Sequence, residues 1–263
     1  LSYVDLPLGR KRTVLVALPP WIAYCLGDAI LFPLAIGMKI ELAPDFELDI
    51  VYIYIGKFTI AFAAPRNYRY LQDKMPTLTE KQRKGFSKIE CLVSGGDRIS
   101  VEENREFEKA FGCPLVNGYG NNEGWGALTV NLASHNKYGT VGVPKYDDII
   151  ISYDNESQTE LKYGECGEIC ALTDTAFLYY EGRQKETDEI KKRHPDGKIW
   201  IHTGDIGYID EDGYVHLEGR MRRVIIRGGF KLSADMIEEK ILENELVKEC
   251  VVVGVKDESE GEV

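Results

Sequence analysis

The stretch TVLVALPPWIAYCLGDAILFPLAIGMKIEL, residues 13–42, decides the fold, because it reads either as a membrane span or as the opening of a buried sheet. From Val14 to Met38 the single charge is Asp28, and Arg10, Lys11 and Arg12 in front imitate the basic end of a signal sequence. The interior of the stretch argues against a span. Pro19 and Pro20 break a helical pattern early, Gly27-Asp28 puts a carboxylate near mid-length, and Pro33 interrupts again. Thr13 to Leu18 is instead a short β-branched run that stops at the prolines, Trp21 to Ile36 has helix length, and Lys39 to Leu42 is strand-like. The expectation is a buried strand, a buried helix and a second strand, with no membrane span.

Outward from this unit the rhythm repeats. Thr59 to Ala63, Ile89 to Val93 and Leu115-Val116 read as further strands, separated by polar helical stretches such as Val101 to Phe111, where Phe107 and Phe111 share one face. After about Thr140 the texture changes to short alternating strands: Ile149 to Ser152, Gly167 to Leu172, Ile199 to His202, Gly207 to Asp210 and Tyr214 to Glu218. Asp210-Glu211-Asp212-Gly213 is a hairpin turn, and Arg183 to Arg193 a charged helical insert with a solvated face. The last forty residues hold a basic strand at Val224 to Arg227, a helix at Ala234 to Asn244 and an apolar strand at Cys250 to Val255. The expected fold class is therefore α/β: a mostly parallel sheet flanked by helices, a following β-rich subdomain, and the start of a small C-terminal α/β domain. The corresponding segments are residues 1–140, 141–221 and 222–263, the first two belonging to one large domain.

Composition bounds the partners. The 263 residues are 44% hydrophobic and 29% charged, a globular balance that excludes disorder, collagen and disulfide miniproteins. Forty-three acidic against 32 basic side chains give a net charge of −11, which repels phosphate backbones and makes nucleic acid an unsuitable partner. Six scattered cysteines without a CxxC pair read as reduced thiols of a cytoplasmic protein. Cys166 and Cys170 with one of His135, His194, His202 or His216 would begin a zinc site, but the spacing is poor and core packing is the better reading.

Two glycine-rich turns follow strands. Ser94-Gly95-Gly96-Asp97 comes after Ile89 to Val93, and Asn117-Gly118-Tyr119-Gly120-Asn121-Asn122-Glu123 after Leu115-Val116, which sets both at the carboxyl edge of a parallel sheet. Backbone N–H groups approach a nucleotide closely at such turns, yet each alone reads as readily as loop punctuation. Thr203-Gly204-Asp205 and Gly219-Arg220 add sharper chemistry. An Asp at a strand end accepts both hydroxyls of a ribose, and an Arg fifteen residues on, after a hairpin, returns toward a phosphate.

Together, in this order, these motifs resemble the superfamily of adenylate-forming enzymes, which includes acyl-CoA and aryl-CoA synthetases, luciferase and the adenylation domains of peptide synthetases. Gly118 to Glu123 looks like GYGxTE, Gly164 to Glu168 like GExGE, and Phe177 to Thr187 like GYxxxxxxT. Trp200 to Asp205 looks like WxxTGD, and Gly219-Arg220 through Gly229 to Glu238 like GRxxxxIxxxG with its acidic helix. The resemblance implies that Tyr119 stacks on adenine, that Asn117 reaches its exocyclic amine, and that Gly95, Gly96, Gly118 and Gly120 line the nucleotide. It implies Asp205 on the ribose, Arg220 on the ribose or α-phosphate, and Glu123 on Mg²⁺, with Asn122, Glu123 and Arg220 the catalytic set. It further places Arg222 at the hinge of a swinging domain, Gly229 where the thiol acceptor enters, and Gly124, Trp125 and Gly126 near the acyl pocket.

The implied reaction activates a small-molecule carboxylic acid with ATP as an acyl-AMP and transfers it to coenzyme A. The alternatives are loading of a carrier protein, or a non-catalytic AMP-binding module. Two departures stand out: Asn122 replaces the family's threonine, and Trp21-Ile22 occupy the place of its aromatic-motif histidine. The family's phosphate-binding loop and its C-terminal catalytic lysine are expected outside these 263 residues, so the chain alone is expected to be a poor catalyst.

Overall fold

A computed structural model describes residues 12–43, 56–145, 147–227, 230–244, 246–257 and 261–263. They form two compact units, one comprising Leu1–Asp148 with Thr173–Leu178, the other Ile149–Leu172 with Tyr179–Val263.

In the first unit the strands are β1 (Thr13–Val16), β2 (Lys39–Leu42), β3 (Ile60–Ala63), β4 (Cys91–Ser94), β5 (Leu115–Asn121), β6 (Gly126–Val130) and β7 (Val143–Pro144). They lie in the order β2-β1-β3-β4-β5-β6-β7. The pairs from β2 to β5 are parallel, and β6 and β7 join antiparallel. The apolar runs are buried on both faces, as a parallel sheet requires. Leu15, Ala61, Leu92 and Leu115 pack on one side against Tyr68, Phe107 and Phe111, while Val14, Ile60, Phe62, Val93 and Val116 pack on the other against Cys25 and Ala29. Arg12 begins the described chain as the buried partner of Glu90, its Nη2 2.8 Å from Oε2.

Among the described residues the α-helices of this unit are α1 (Phe32–Ala35), α2 (Pro65–Lys74), α3 (Glu80–Phe86) and α4 (Val101–Phe111). The expected helix Trp21 to Ile36 is not one regular α-helix. Tyr24–Leu31 is π-helical and passes into α1, with the Phe32 N–H bonded to the Gly27 carbonyl five residues back. Pro33 has no N–H to continue an α ladder, so the coil widens before it. Nor is this segment buried all round: Cys25, Asp28, Ala29 and Pro33 face inward, whereas Leu31, Leu34 and Ile36 are exposed. Among the described residues no helix is long and apolar enough to cross a membrane.

Helix α4 starts where the sequence dictates. The Ser100 hydroxyl accepts from the Glu103 N–H at 3.1 Å while the Glu103 carboxylate accepts from the Ser100 N–H at 3.3 Å, a reciprocal cap. Ser100→Ala is expected to cost about 1 kcal/mol, read as a lower urea midpoint at unchanged slope.

The second unit contains an antiparallel sheet of β8 (Ile149–Asp154), β9 (Thr159–Glu160), β10 (Gly167–Leu172), β11 (Lys191–Arg193), β12 (Ile199–Ile209) and β13 (Val215–Arg220). The two strands expected at Ile199 to His202 and Gly207 to Asp210 are one continuous strand. Gly204, at φ 73°, and a register shift between Ile206 and Gly207 let β12 kink without breaking its ladder. The Arg183 to Arg193 insert divides into α5 (Gln184–Ile190) and β11. A smaller sheet orders β15 (Phe230–Ser233), β14 (Val224–Arg227), β17 (Gly261–Glu262) and β16 (Lys256–Asp257), with α6 (Ala234–Leu242) between β15 and β16 in the chain.

Cys250 to Val255 is not the apolar strand that its composition predicts. Val251, Val253 and Val255 are exposed, and the backbone bonds go elsewhere: the Val252 N–H donates to Glu238 Oε1 at 2.6 Å, and Val255 exchanges two bonds with Val263. A β-branched run becomes a strand only when a neighbour supplies a ladder and a face to pack on.

Candidate functional site

In the first unit, β4 ends at Ser94 directly opposite Asn117 of β5, and Gly95-Gly96 turn away beyond it. Asn117 is 7% exposed, and its Oδ1 accepts no hydrogen bond among the described residues; the buried Ser94 hydroxyl is likewise without a partner there. An unpaired buried acceptor costs about 1–3 kcal/mol, so this pair is suited to an incoming donor such as the exocyclic amine of adenine. Gly95 lies against the ring of Tyr24, whose hydroxyl donates to the Val93 carbonyl at 3.0 Å. Nothing in the sequence singled Tyr24 out.

The expected loop from Asn117 to Glu123 is mostly strand. β5 runs on to Asn121 and turns back into β6, because Gly118 to Asn121 pair with Gly126 to Val130. Gly120 is dictated by this pairing: a Cβ there would stand 1.8 Å from the Gly126 carbonyl oxygen. The turn is fastened by its own side chains. Asn121 Oδ1 accepts the Gly124 N–H at 2.7 Å, and Asn122 Oδ1 accepts the Ala23 N–H at 2.9 Å, which ties the turn to the π-helical segment. The carbonyls of Glu123 and Gly124 accept from the Phe177 N–H at 2.7 Å and the Thr175 hydroxyl at 2.9 Å.

Trp125 sits at the tip with φ 62° and remains 41% exposed. The two residues after it are held by Asp28. Its Oδ2 accepts the Ala127 N–H at 2.8 Å and occupies the space a Cβ on Gly126 would need, at 2.3 Å, while its Oδ1 lies 3.6 Å from Lys145 Nζ. Asp28 and Lys145 are 3% and 8% exposed, a buried ion pair behind the turn. The lone charge in an apolar run was the signal in the sequence, which there served only to argue against a membrane span.

In the second unit, Asp205 faces Arg220 across β12 and β13, with Arg220 Nε 3.1 Å from Oδ1. The carboxylate is buried and the guanidinium largely exposed, so the latter keeps further N–H donors for a ligand. The strand before Asp205 is anchored by Glu168, which accepts from the Gly204 N–H at 2.9 Å, Asn155 Nδ2 at 2.7 Å and His202 Nδ1 at 2.7 Å. Burial pushes the Glu168 carboxyl up, and these donors outweigh it, holding the group below the usual carboxylate range. The second glutamate of GExGE is thus a fastener of the TGD strand. Arg222 is exposed in the short turn Met221–Arg223, next to Arg223, which pairs with Asp235 at 2.6 Å and with Glu238. Gly229 lies outside the described residues.

The sequence profile of the AMP-binding enzymes matches residues 2–180. This chain belongs to the AMP-binding enzyme family. A long-chain-fatty-acid–CoA ligase of Bacillus subtilis (strain 168) is 31% identical over 261 residues, 98% of this chain and 45% of that protein. A feruloyl-CoA synthase of Amycolatopsis is 28% identical over 266 residues, 99% of this chain and 52% of that protein. ATP-bound MatB from Rhodopseudomonas palustris superposes with a TM-score of 0.85 at 27% identity, over 96% of this chain and 48% of that one. The chain therefore spans about half the length of the curated relatives it matches.

Proposed function

We propose that this chain is the nucleotide-binding part of an AMP-forming acid–CoA ligase. The observation that supports the nucleotide reading is the buried Oδ1 of Asn117, without a partner among the described residues, beside the glycine turn of Ser94 to Gly96. The thiol half of the reading rests on the relatives, which are CoA ligases, and this favours CoA over a carrier protein as acceptor. Because those relatives bear names as different as fatty-acid and feruloyl ligases, the acid is left at the class of a small-molecule carboxylate.

The chemistry follows from charge. A carboxylate attacking the α-phosphate of ATP brings two anions together, forming acyl-AMP and releasing pyrophosphate; a thiol then displaces AMP. Arg220 lowers the first repulsion with its exposed guanidinium, steered by Asp205, which at the same time receives the ribose hydroxyls. Tyr119 stacks on adenine and Asn117 takes its amine. Glu123 is the residue to hold Mg²⁺, an ion that binds one or two carboxylates together with phosphate oxygens and would neutralise charge there. Asn122, spent on the Ala23 N–H, steadies the turn that carries Glu123.

The amine contact gives a sharp expectation. AMP should bind about tenfold more tightly than IMP, which lacks the exocyclic amine, and Asn117→Ala should erase that difference while leaving stability nearly unchanged. Calorimetry with the two nucleotides reads both. The ligase reading is tested with non-hydrolysable acyl-sulfamoyl-adenosine analogues carrying short, aryl and long chains: at least one should bind much more tightly than AMP. AMP binding without any gain from an acyl group would leave a non-catalytic AMP-binding module, and no binding of either kind would overturn the proposal.

A further inference from the structure

Behind the Asp205 strand the second unit assembles a group that the nucleotide chemistry does not use. Cys170 of β10 lies directly opposite His202 of β12, and His194 is folded back over them by the turn in which its N–H bonds to the Lys198 carbonyl at 3.0 Å. All three are buried, and one ligand atom from each lies within 4.8 Å of the others. His202 is oriented by Glu168: the carboxylate at 2.7 Å from Nδ1 keeps a proton there and turns the Nε2 lone pair toward His194 Nε2, 2.9 Å away. His194 is itself fixed, stacked against Tyr153 at 4.1 Å and against Trp200 at 5.2 Å between ring centres.

We propose that Cys170, His194 and His202 form a zinc site. One thiolate and two imidazoles are the donors that zinc selects, whereas magnesium and calcium require oxygen. A carboxylate bonded to the far nitrogen of a ligating histidine is the outer partner that zinc sites carry, and Glu168 stands in that position, itself held by Asn155 and Gly204. Uptake of the ion releases the Cys170 thiol proton to solvent and moves the proton of the His–His hydrogen bond to the outer nitrogen of His194. Three protein ligands leave one tetrahedral position for a water molecule. From the sequence, Cys166 and Cys170 together have poor spacing for a zinc site and read as core; Cys166 is in fact exposed and outside the cluster. Cross-strand register, which sequence spacing does not show, is what brings Cys170 to the two histidines.

The test is titration of the chelator-treated 263-residue chain with Co²⁺, followed by displacement with Zn²⁺. One equivalent should produce a thiolate-to-cobalt charge-transfer band together with tetrahedral ligand-field bands. Cys170→Ala should abolish the charge-transfer band, His194→Gln should weaken binding at least tenfold, and Glu168→Gln should weaken it about 10- to 100-fold. Cys166→Ser should leave the titration unchanged. Should Cys170→Ala fail to fold by circular dichroism, His194→Gln read by the same band decides the matter. The absence of a charge-transfer band in the parent chain, its persistence in Cys170→Ala, or its loss in Cys166→Ser overturns the site. Each leaves the nucleotide proposal standing, because AMP binding is measured separately.

Discussion

Asp205→Ala is expected to lower the affinity for AMP about a hundredfold. The buried carboxylate has two tasks in the proposed complex, receiving the ribose hydroxyls and aligning the Arg220 guanidinium at 3.1 Å. Losing two charge-assisted hydrogen bonds costs on the order of 3 kcal/mol, which is the stated factor. Arg220, exposed and released, keeps its charge but loses its direction. Asp205→Asn is the informative companion: it retains the shape and one acceptor, so its loss should be intermediate. Calorimetry on the parent chain and both variants measures this, and an unchanged AMP affinity in Asp205→Ala would remove the ribose assignment at its most specific point.

Asp28→Ala should destabilise the first unit by about 3–5 kcal/mol. Removing one member of a buried ion pair takes from Lys145, at 8% exposure, the carboxylate it is buried against, and it also strips the Ala127 N–H of its acceptor. The double variant Asp28→Leu with Lys145→Met should be more stable than either of its single variants, since an apolar pair needs no mutual solvation, but the Ala127 N–H still lacks its acceptor and part of the loss remains. Urea denaturation of the two single variants and the double variant gives the coupling directly, and additive costs would mean that the two side chains act independently. The functional consequence is local. Asp28 fixes Gly126 and, through it, the turn from Asn122 to Trp125, so a variant that still folds should retain AMP binding while losing discrimination among acyl groups.

Much of this molecule was legible along the chain. Val14-Leu15-Val16 and Cys91-Leu92-Val93 are apolar without interruption, so each strand had to be buried on both faces, and that requires a parallel sheet with helices on both sides. The polar stretch Val101 to Phe111, with Phe107 and Phe111 on one face, is helix α4 as its pattern implies, and the motif order from Gly118 to Glu238 carries the family resemblance. These features are local, or lie in linear order, and a sequence displays both.

The rest depended on distances that run across strands. Thr203-Gly204-Asp205 reads as the break between two strands, yet β12 passes through it, because partners β10 and β13 hold the ladder on either side of a kink. Cys250 to Val255 reads as a strand, yet among the described residues its end alone, Val255, finds a cross-strand partner, Val263. Asp28 reads as a reason to reject a membrane span, and only its neighbours Ala127 and Lys145, 99 and 117 residues away, make it the support of a candidate acyl pocket. The sequence by itself determined which faces must be buried and which motifs occur, since hydrophobic period and residue type are properties of short segments. Only the tertiary structure decided which polar groups meet, as with Asn117 Oδ1 left without a partner among the described residues or Cys170 opposite His202. Register and burial fix those meetings, and both arise when distant segments pack.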